Sequence, residues 1–351
     1  METKVIKIDR KNIRKEDLAE AGEILRSGGL VAFPTETVYG LGGDGLNPEA
    51  SKKIYAAKGR PSDNPLIVHI ADVKDIEKLA LEIPELAWKL AEKFWPGPMT
   101  MILKKGDAVP KTTTGGLDTV AIRLPSDEIA RTLIRESGCF IAAPSANSSG
   151  RPSPTKAEHV IEDLSGKIDM IIDGGSCDIG LESSIIDLSG EKPLILRPGF
   201  ITQEDFETVA KGVEYDKAVI AKTPDKNIVA KAPGMKYRHY APKGSITIVE
   251  GEATDVARYI NEKVSESEKA GVRTAVICSD ENKDRYLCKN IYDLGSRKHE
   301  IDITSALFDV LRQLDTDGIG VIFAESFDEL RLSQAIMNRL RKAAGYNTVK
   351  V

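Results

Sequence analysis

The sequence predicts an α/β protein of two domains: a larger one on a mixed sheet and a smaller βα domain of parallel-sheet character. Three observations carry this. Short apolar runs alternate with amphipathic stretches up to about residue 200 and again after residue 243. Several runs in the first half follow one another too closely to fit a crossover helix, so some neighbours must be antiparallel. The chain has 351 residues, more than the roughly 100–200 of one typical domain.

In order, "LVAF" (30–33), "LIVHI" (66–70), "MTMIL" (99–103), "VAIRL" (120–124), "FIAA" (140–143), "MIID" (170–173), "SIIDL" (184–188) and "LILRP" (194–198) read as strands. Helices are predicted over 16–27, 48–57, 73–80, 84–94, 126–136 and 155–163. The second has its start signal in place, Asn47 as N-cap and Pro48 at the first helical position. From about 206 to 242 the pattern dissolves into Pro, Gly and cations, the composition of a linker. Yet "KYRHY" (236–240) is not passive spacer material, and unstructured loops of this length are usually functional or disordered. Alternation then returns: "SITIV", a helix at 253–269, "TAVICS", "NIYDLG", a helix at 304–314, "GIGVIFA" and a helix at 328–344. The expected domains are therefore 1–205 and 243–351, joined by 206–242.

A hydrophobic fraction of 41% and a charged fraction of 29% describe ordinary globular material. The net charge of -5 argues against holding nucleic acid by bulk charge, and leaves room for a local basic cleft. The N-terminal stretch lacks a signal-peptide core, and no run approaches the ~18 apolar residues of a membrane span. Cys139, Cys177, Cys278 and Cys288 are scattered without a zinc spacing, so the chain reads as reduced and cytoplasmic, without a protein-bound metal.

The chemistry-bearing stretches lie at strand ends. "KGRPSDNPLIVHI" (58–70) holds Lys58, Arg60 and Ser62 in a proline-stiffened loop, a way to build an anion receptor. Its bland alternative is a pair of cations covering a helix C-terminus. "FPTETVYGLGGDG" (33–45) contains G-x-G-x-x-G, but the strand and helix are misplaced for a dinucleotide fold, so a flexible turn is expected. There, Thr35, Glu36 and Thr37 either satisfy local backbone groups or, for Thr35, line a polar pocket. "IAAPSANSSGRPSPT" (141–155) can bring backbone N–H groups and Ser145, Asn147 and Ser153 close to phosphate or ribose. Arg123 ends an apolar strand, which implies a carboxylate partner from the protein or from a ligand. "GLESSIIDL" (180–188) and "LILRPG" (194–199) repeat the device, with Arg197 at the end. No G-x-x-x-x-G-K-[ST] occurs, and no nucleophile–base pair stands out among the four histidines.

The blocks "PTETVYGL", "KGRPSDNPL", "FWPGPMT", "VAIRLP", "APSANSSGRPSPT", "ESSIIDL" and "ILRPG", in that order, closely resemble the YrdC-like domain family, the L-threonylcarbamoyl-AMP synthases. "APGMKYRHYAP" followed by a small Rossmann-like βα domain resembles the long form of that family. The resemblance implies a twisted mixed sheet with flanking helices around a concave basic pocket. It also implies a reaction in which L-threonine, bicarbonate and ATP give threonylcarbamoyl-AMP and pyrophosphate. A separate transferase then passes the group to tRNA, in the first step of N6-threonylcarbamoyladenosine modification. By this resemblance Lys58, Arg60, Ser145 and Asn147 form the catalytic tetrad, and Thr35, His69, Arg123 and Ser183 hold threonine. The nucleotide and its phosphates fall to the tetrad together with Ser62, Thr119, Ser153, Arg197 and Tyr240. Mg2+ is expected with ATP, and no organic cofactor. Tyr237 to Tyr240 are expected to fold back over the site as a lid, or else to dock the two domains together. Two other readings stay open. One is a non-catalytic RNA binder using "KYRHYAPK", in which tRNA is contacted directly. The other is carbamoyl transfer as in hydrogenase-maturation proteins, whose acylphosphatase-like module and cysteine zinc motifs do not occur in this sequence. The role of the smaller domain and the oligomeric state are not legible.

Overall fold

Strand parity decides what faces what. The computed structural model describes residues 2–220, 231–233 and 240–351. The chain divides into two compact units, one of Met1–Ser149, Ser153–Asp178 and Glu182–Lys236, the other of Gly150–Pro152, Ile179–Leu181 and Tyr237–Val351.

The first unit is built on a mixed sheet with twelve strands among the described residues. They are β1 (Lys4–Lys7), β2 (Val31–Phe33), β3 (Gly40–Asp44), β4 (Ile67–His69), β5 (Ala80–Leu81), β6 (Met99–Lys105), β7 (Thr119–Arg123), β8 (Ile141–Ala143), β9 (Met170–Asp173), β10 (Ser184–Asp187), β11 (Leu194–Arg197) and β12 (Glu214–Tyr215). Their spatial order is β1-β9-β2-β3-β8-β4-β7-β6-β10-β11-β12, with β5 paired to β6. The pairs β4–β7 and β6–β10 are parallel, whereas β3–β8, β4–β8 and β6–β7 are antiparallel, the mixed arrangement expected from the crowded runs.

Because side chains alternate across a strand, Val68, Val120, Ile122, Met99, Met101 and Leu103 share one face. They pack on Ala87, Leu90 and Ala91 of the helix Glu85–Phe94. Ile67, Ala121 and Ile102 share the other face, in one cluster with Ile185, Leu196 and Ala232. His69, Arg123 and Thr100 follow at the same parity, directly paired across β4, β7 and β6. Towards β2 and β8 this face carries Phe33, Ile141 and Ala143, covered by the helices Lys15–Arg26 and Glu128–Ser137. Each fully buried Leu or Ile there stabilises by roughly 1.5–3 kcal/mol.

Local signals set the helices. Asn47 accepts from Glu49 N at 2.9 Å and Gly59 closes the same helix, Pro48–Lys58, with φ 61°. Three stretches depart from the expectations. Gly40–Asp44, expected as a turn, is strand β3: a Cβ on Gly42 would lie 2.7 Å from Ile141 and 2.8 Å from the Phe33 ring, so the glycines admit close strand packing. The helix expected at 73–80 shortens to a 3-10 turn, Val73–Asp75, and Ile76–Leu79 before β5. The linker begins with structure of its own, the capped helix Gln203–Glu207, β12 and the turn Lys217–Ile220.

The second unit has five parallel strands: β13 (Ser245–Glu250), β14 (Thr274–Cys278), β15 (Ile291–Asp293), β16 (Val321–Glu325) and β17 (Thr348–Lys350), ordered β15-β14-β16-β13-β17. Its helices are Ala253–Lys269, Glu300–Thr316 and Ser333–Ala343, the middle one longer and the last shorter than expected. Buried Glu325, at the end of central β16, accepts from Ser279, Asn282, Tyr286 and Arg297. A carboxylate so fully engaged locks the loops at that sheet end.

Gly199 closes the "LRPG" corner where β11 ends. A Cβ there would lie 2.5 Å from Ser184 N and 2.9 Å from Glu182 O, both backbone atoms that cannot swing aside. Gly199→Ala is expected to destabilise the protein by roughly 1–3 kcal/mol, read as a lowered urea midpoint; an unchanged midpoint contradicts the close approach.

Candidate active site

The C-terminal residue of the helix Pro48–Lys58 is the first site cation. Lys58 is 4% exposed, and its Nζ donates to Ser145 O and Asn147 O, each at 2.5 Å, and approaches Asn147 Oδ1 at 3.2 Å. Ser145 Oγ donates to that same Oδ1 at 2.5 Å. Lys58, Ser145 and Asn147 are thus one hydrogen-bonded cluster, positioned where Gly40 bridges Ser145 beside β3. From its own helix end Lys58 reaches across to the 145–147 loop. Arg60 NH2 donates to Asn64 O at 3.3 Å and Pro65 O at 3.2 Å, within its own proline-bounded loop. Ser62 is exposed on that loop, and Thr119 is half-buried at the start of β7.

A second cluster is polar and almost dry. Arg123 and Glu36, with side chains 5% and 6% exposed, form an ion pair at 2.8 Å. This answers the demand that an arginine at the end of an apolar strand makes for a carboxylate. That demand was the signal from which Glu36 follows, though reading the sequence left the partner's identity open. His69 sits beside Arg123 in register, and its ring meets Phe33 edge-on with centroids 6.0 Å apart. Its Nδ1 lies 3.1 Å from Ile67 O and 3.3 Å from Ile141 O, both acceptors, so Nδ1 carries the proton and Nε2 presents a lone pair. Burial first, and then the charge of Arg123, push the His69 pKa down to about 3. Asp127, cap of the next helix and paired with Arg10 at 3.0 Å, is pushed up to about 6, chiefly by burial, with the Glu36 charge contributing.

Thr35 Oγ1 donates to Val38 O at 2.6 Å and accepts from Thr37 N and Val38 N, so it serves the local turn. Ser183 Oγ pairs with Thr100 Oγ1 at 2.7 Å and accepts from Arg197 NH2 at 3.1 Å, while Arg197 Nε donates to Ser183 O. Ser183 and Arg197 are therefore tied to each other, and Thr100, which the sequence did not single out, ties them to Arg123 through the β6–β7 register. Ser153 Oγ donates to Glu182 Oε1 at 2.6 Å, a second unforeseen acid. Tyr237, Arg238 and His239 lie outside the described residues. Tyr240 belongs to the second unit, buried at φ 66° with its ring 4.9 Å from that of Phe308. Among the described residues no cluster of three or more His, Cys, Asp or Glu could hold a metal ion, and no helix is long and apolar enough to cross a membrane.

His69 generates a stability prediction. Its folded pKa lies below the ordinary 6.5, so between 6.5 and about 3 the unfolded chain takes up a proton that the folded chain refuses. That contribution is lost as pH falls through this window, at up to ~1.4 kcal/mol per pH unit. In His69→Gln the urea midpoint is expected to fall less steeply from pH 6.5 to 4.5. Equal slopes in both proteins contradict a buried neutral ring.

Comparison with known proteins agrees along the chain. A family model described as "Telomere recombination" (Sua5_yciO_yrdC) matches residues 23–199, and one described as "Threonylcarbamoyl-AMP synthase, C-terminal domain" matches residues 201–345. Threonylcarbamoyl-AMP synthase of Pyrococcus abyssi is 49% identical over 342 residues, 97% of this chain and 98% of that one. The Bacillus subtilis protein of the same name is 46% identical, covering 97% of each. The crystal structure of P. abyssi Sua5 complexed with L-threonine superposes with a TM-score of 0.94 at 48% identity, over 99% of this chain and 100% of that one. With both domains matched and the strand-end clusters in place, the chain belongs to the threonylcarbamoyl-AMP synthase family, in its two-domain Sua5 form.

Proposed function

We infer that the chain joins L-threonine, bicarbonate and ATP into L-threonylcarbamoyl-AMP with release of pyrophosphate, the first step of tRNA N6-threonylcarbamoyladenosine formation at position 37. The activity is that of its family, a nucleotidyltransferase. One observation carries the assignment to these residues: the Lys58–Ser145–Asn147 cluster and the buried Arg123–Glu36 pair belong to one unit, at strand ends of one sheet.

The chemistry asks the protein to hold two anions together and exclude water. A carbamate formed on threonine attacks the α-phosphorus of ATP, and no covalent enzyme intermediate is needed. Lys58 is preorganised: two backbone carbonyls aim its ammonium, and the longer contact to Asn147 Oδ1 is the one that a phosphate oxygen would replace. In this reading Lys58 and Arg60 neutralise the phosphoryl oxygens, with Ser62, Thr119, Ser145, Asn147, Ser153 and Arg197 around the nucleotide. Arg123 binds the threonine carboxylate, and Ser183, Thr35 and the Nε2 lone pair of His69 frame the rest. Magnesium enters as part of the ATP substrate.

The cover assigned to 231–242 is supported by Ala232, fully buried with Ile67, Ala121 and Ile102, and by Lys231, 3.4 Å from Asp187. Deletion of 231–242 is expected to shorten product lifetime; unchanged yield and lifetime remove the cover from the scheme. The product passes to a separate threonylcarbamoyltransferase acting on tRNA, and the four free thiols suit the cytoplasm we assign. Direct tRNA contact is the second reading, resting on the basic–aromatic "KYRHYAPK" segment.

Pyrophosphate release from ATP is expected to require both threonine and bicarbonate. Lys58→Ala is expected to lower kcat roughly 10²–10³-fold with the thermal transition retained. Release independent of both substrates, or full activity in the variant, overturns the assignment.

A further inference from the structure

Glu36 is left over from the substrate contacts assigned above, and its surroundings are unusual. The residue is 5% exposed, yet neither carboxylate oxygen has a hydrogen-bond partner among the described residues. Its ion pair with Arg123 is close, at 2.8 Å, but lacks hydrogen-bond geometry, and Arg123 Nε and NH2 are likewise without hydrogen-bond acceptors. Buried carboxylates normally fill several of their roughly four lone-pair sites, as Glu325 does with four side-chain donors. The local turn does not use Glu36 either, since Thr35 Oγ1 accepts from the Thr37 and Val38 N–H groups. The nearby Asp127 is already matched by Arg10 at 3.0 Å and by its helix N-terminus, Ala130 N at 3.0 Å. A buried cation and a buried anion with unfilled donors and acceptors, side by side, complement a molecule that carries both charges on groups attached to one carbon.

We propose that Glu36 receives the ammonium group of the amino-acid substrate while Arg123 receives its carboxylate, so that the pair selects a zwitterionic α-amino acid. This deepens the synthase reading and rests on it. The two ligand charges enter between the two protein charges in alternating order, so all four are paired and none is left dry. An acid with a hydroxyl in place of the ammonium satisfies Arg123 but offers Glu36 a single neutral donor instead of a charge, so the buried carboxylate is left uncompensated, a basis for rejection. In carbamate formation the ammonium gives up two protons, bicarbonate loses its hydroxyl as water with one of them, and the other passes to solvent; the remaining N–H can still donate to Glu36, so the same contact orients the nucleophile towards ATP. Glu36 is thus a specificity residue that touches substrate.

The test compares two ligands by calorimetry on the full chain: L-threonine and 2,3-dihydroxybutanoate of matching stereochemistry, which replaces the ammonium by a hydroxyl. The wild type is expected to favour threonine at least tenfold. In Glu36→Gln, which keeps size and shape, the preference is expected to shrink below about threefold. A purely structural Glu36 that only props up Arg123 would weaken both ligands alike and leave the ratio unchanged, and that result overturns the proposal. Should the variant fail to fold, the wild-type ratio decides: no preference between the two ligands overturns it equally. If the wild type neither binds threonine nor shows threonine-dependent pyrophosphate release, the synthase reading fails and this one with it. If both are present and the ratio does not move, only the role of Glu36 fails.

Discussion

The constraint on which the site depends is a guanidinium at the end of an apolar strand. Arg123 sits on β7 with Ala121 below it and Val120 and Ile122 turned to the hydrophobic layer behind. A charge in that position is tolerable only beside an opposite one, and Glu36, delivered by the loop after β2, supplies it at 2.8 Å. The loop 34–39 is in turn pinned by the Thr35 turn and by Tyr39, whose hydroxyl donates to Gly175 O at 2.7 Å. Strand register then carries the order outward: His69 and Thr100 flank Arg123, and Thr100 holds Ser183, which holds Arg197.

The two polar clusters differ in how they are kept ready. Lys58 donates to two backbone carbonyls, Ser145 O and Asn147 O, which fix where its ammonium points. Arg123 is held by a full opposite charge. That arrangement suits a ligand with no net charge and a large dipole better than it suits a phosphate. His69, kept neutral by burial and by Arg123, adds a lone pair without adding charge.

Among the described residues, the smaller unit shows no comparable unfilled groups at its sheet end. Glu325 is enclosed by Ser279, Asn282, Tyr286 and Arg297, and Arg297 also stacks over Phe327 at 5.0 Å. A parallel sheet often places a ligand at the carboxyl ends of its strands. Here Glu325 and its donors occupy that position.

The sequence by itself determined the element types and the chemistry at their ends. Eight strands of the first domain, the Asn47–Pro48 helix start and the mixed sheet were legible because apolar period and capping residues act locally. The need for a carboxylate at Arg123 was legible too, because the penalty for a lone buried charge does not depend on the fold. Tertiary structure alone decided the rest. It made the glycine run of 40–44 a strand instead of a turn, since only the neighbouring Phe33 ring and Ile141 show why side chains are excluded there. It also named Glu36 as the partner of Arg123, 87 residues apart in sequence, and joined Lys58 to Asn147, 89 apart. Periodicity reports which face a residue takes on its own element. Which elements then meet depends on pairing between distant strands, and no local pattern encodes that.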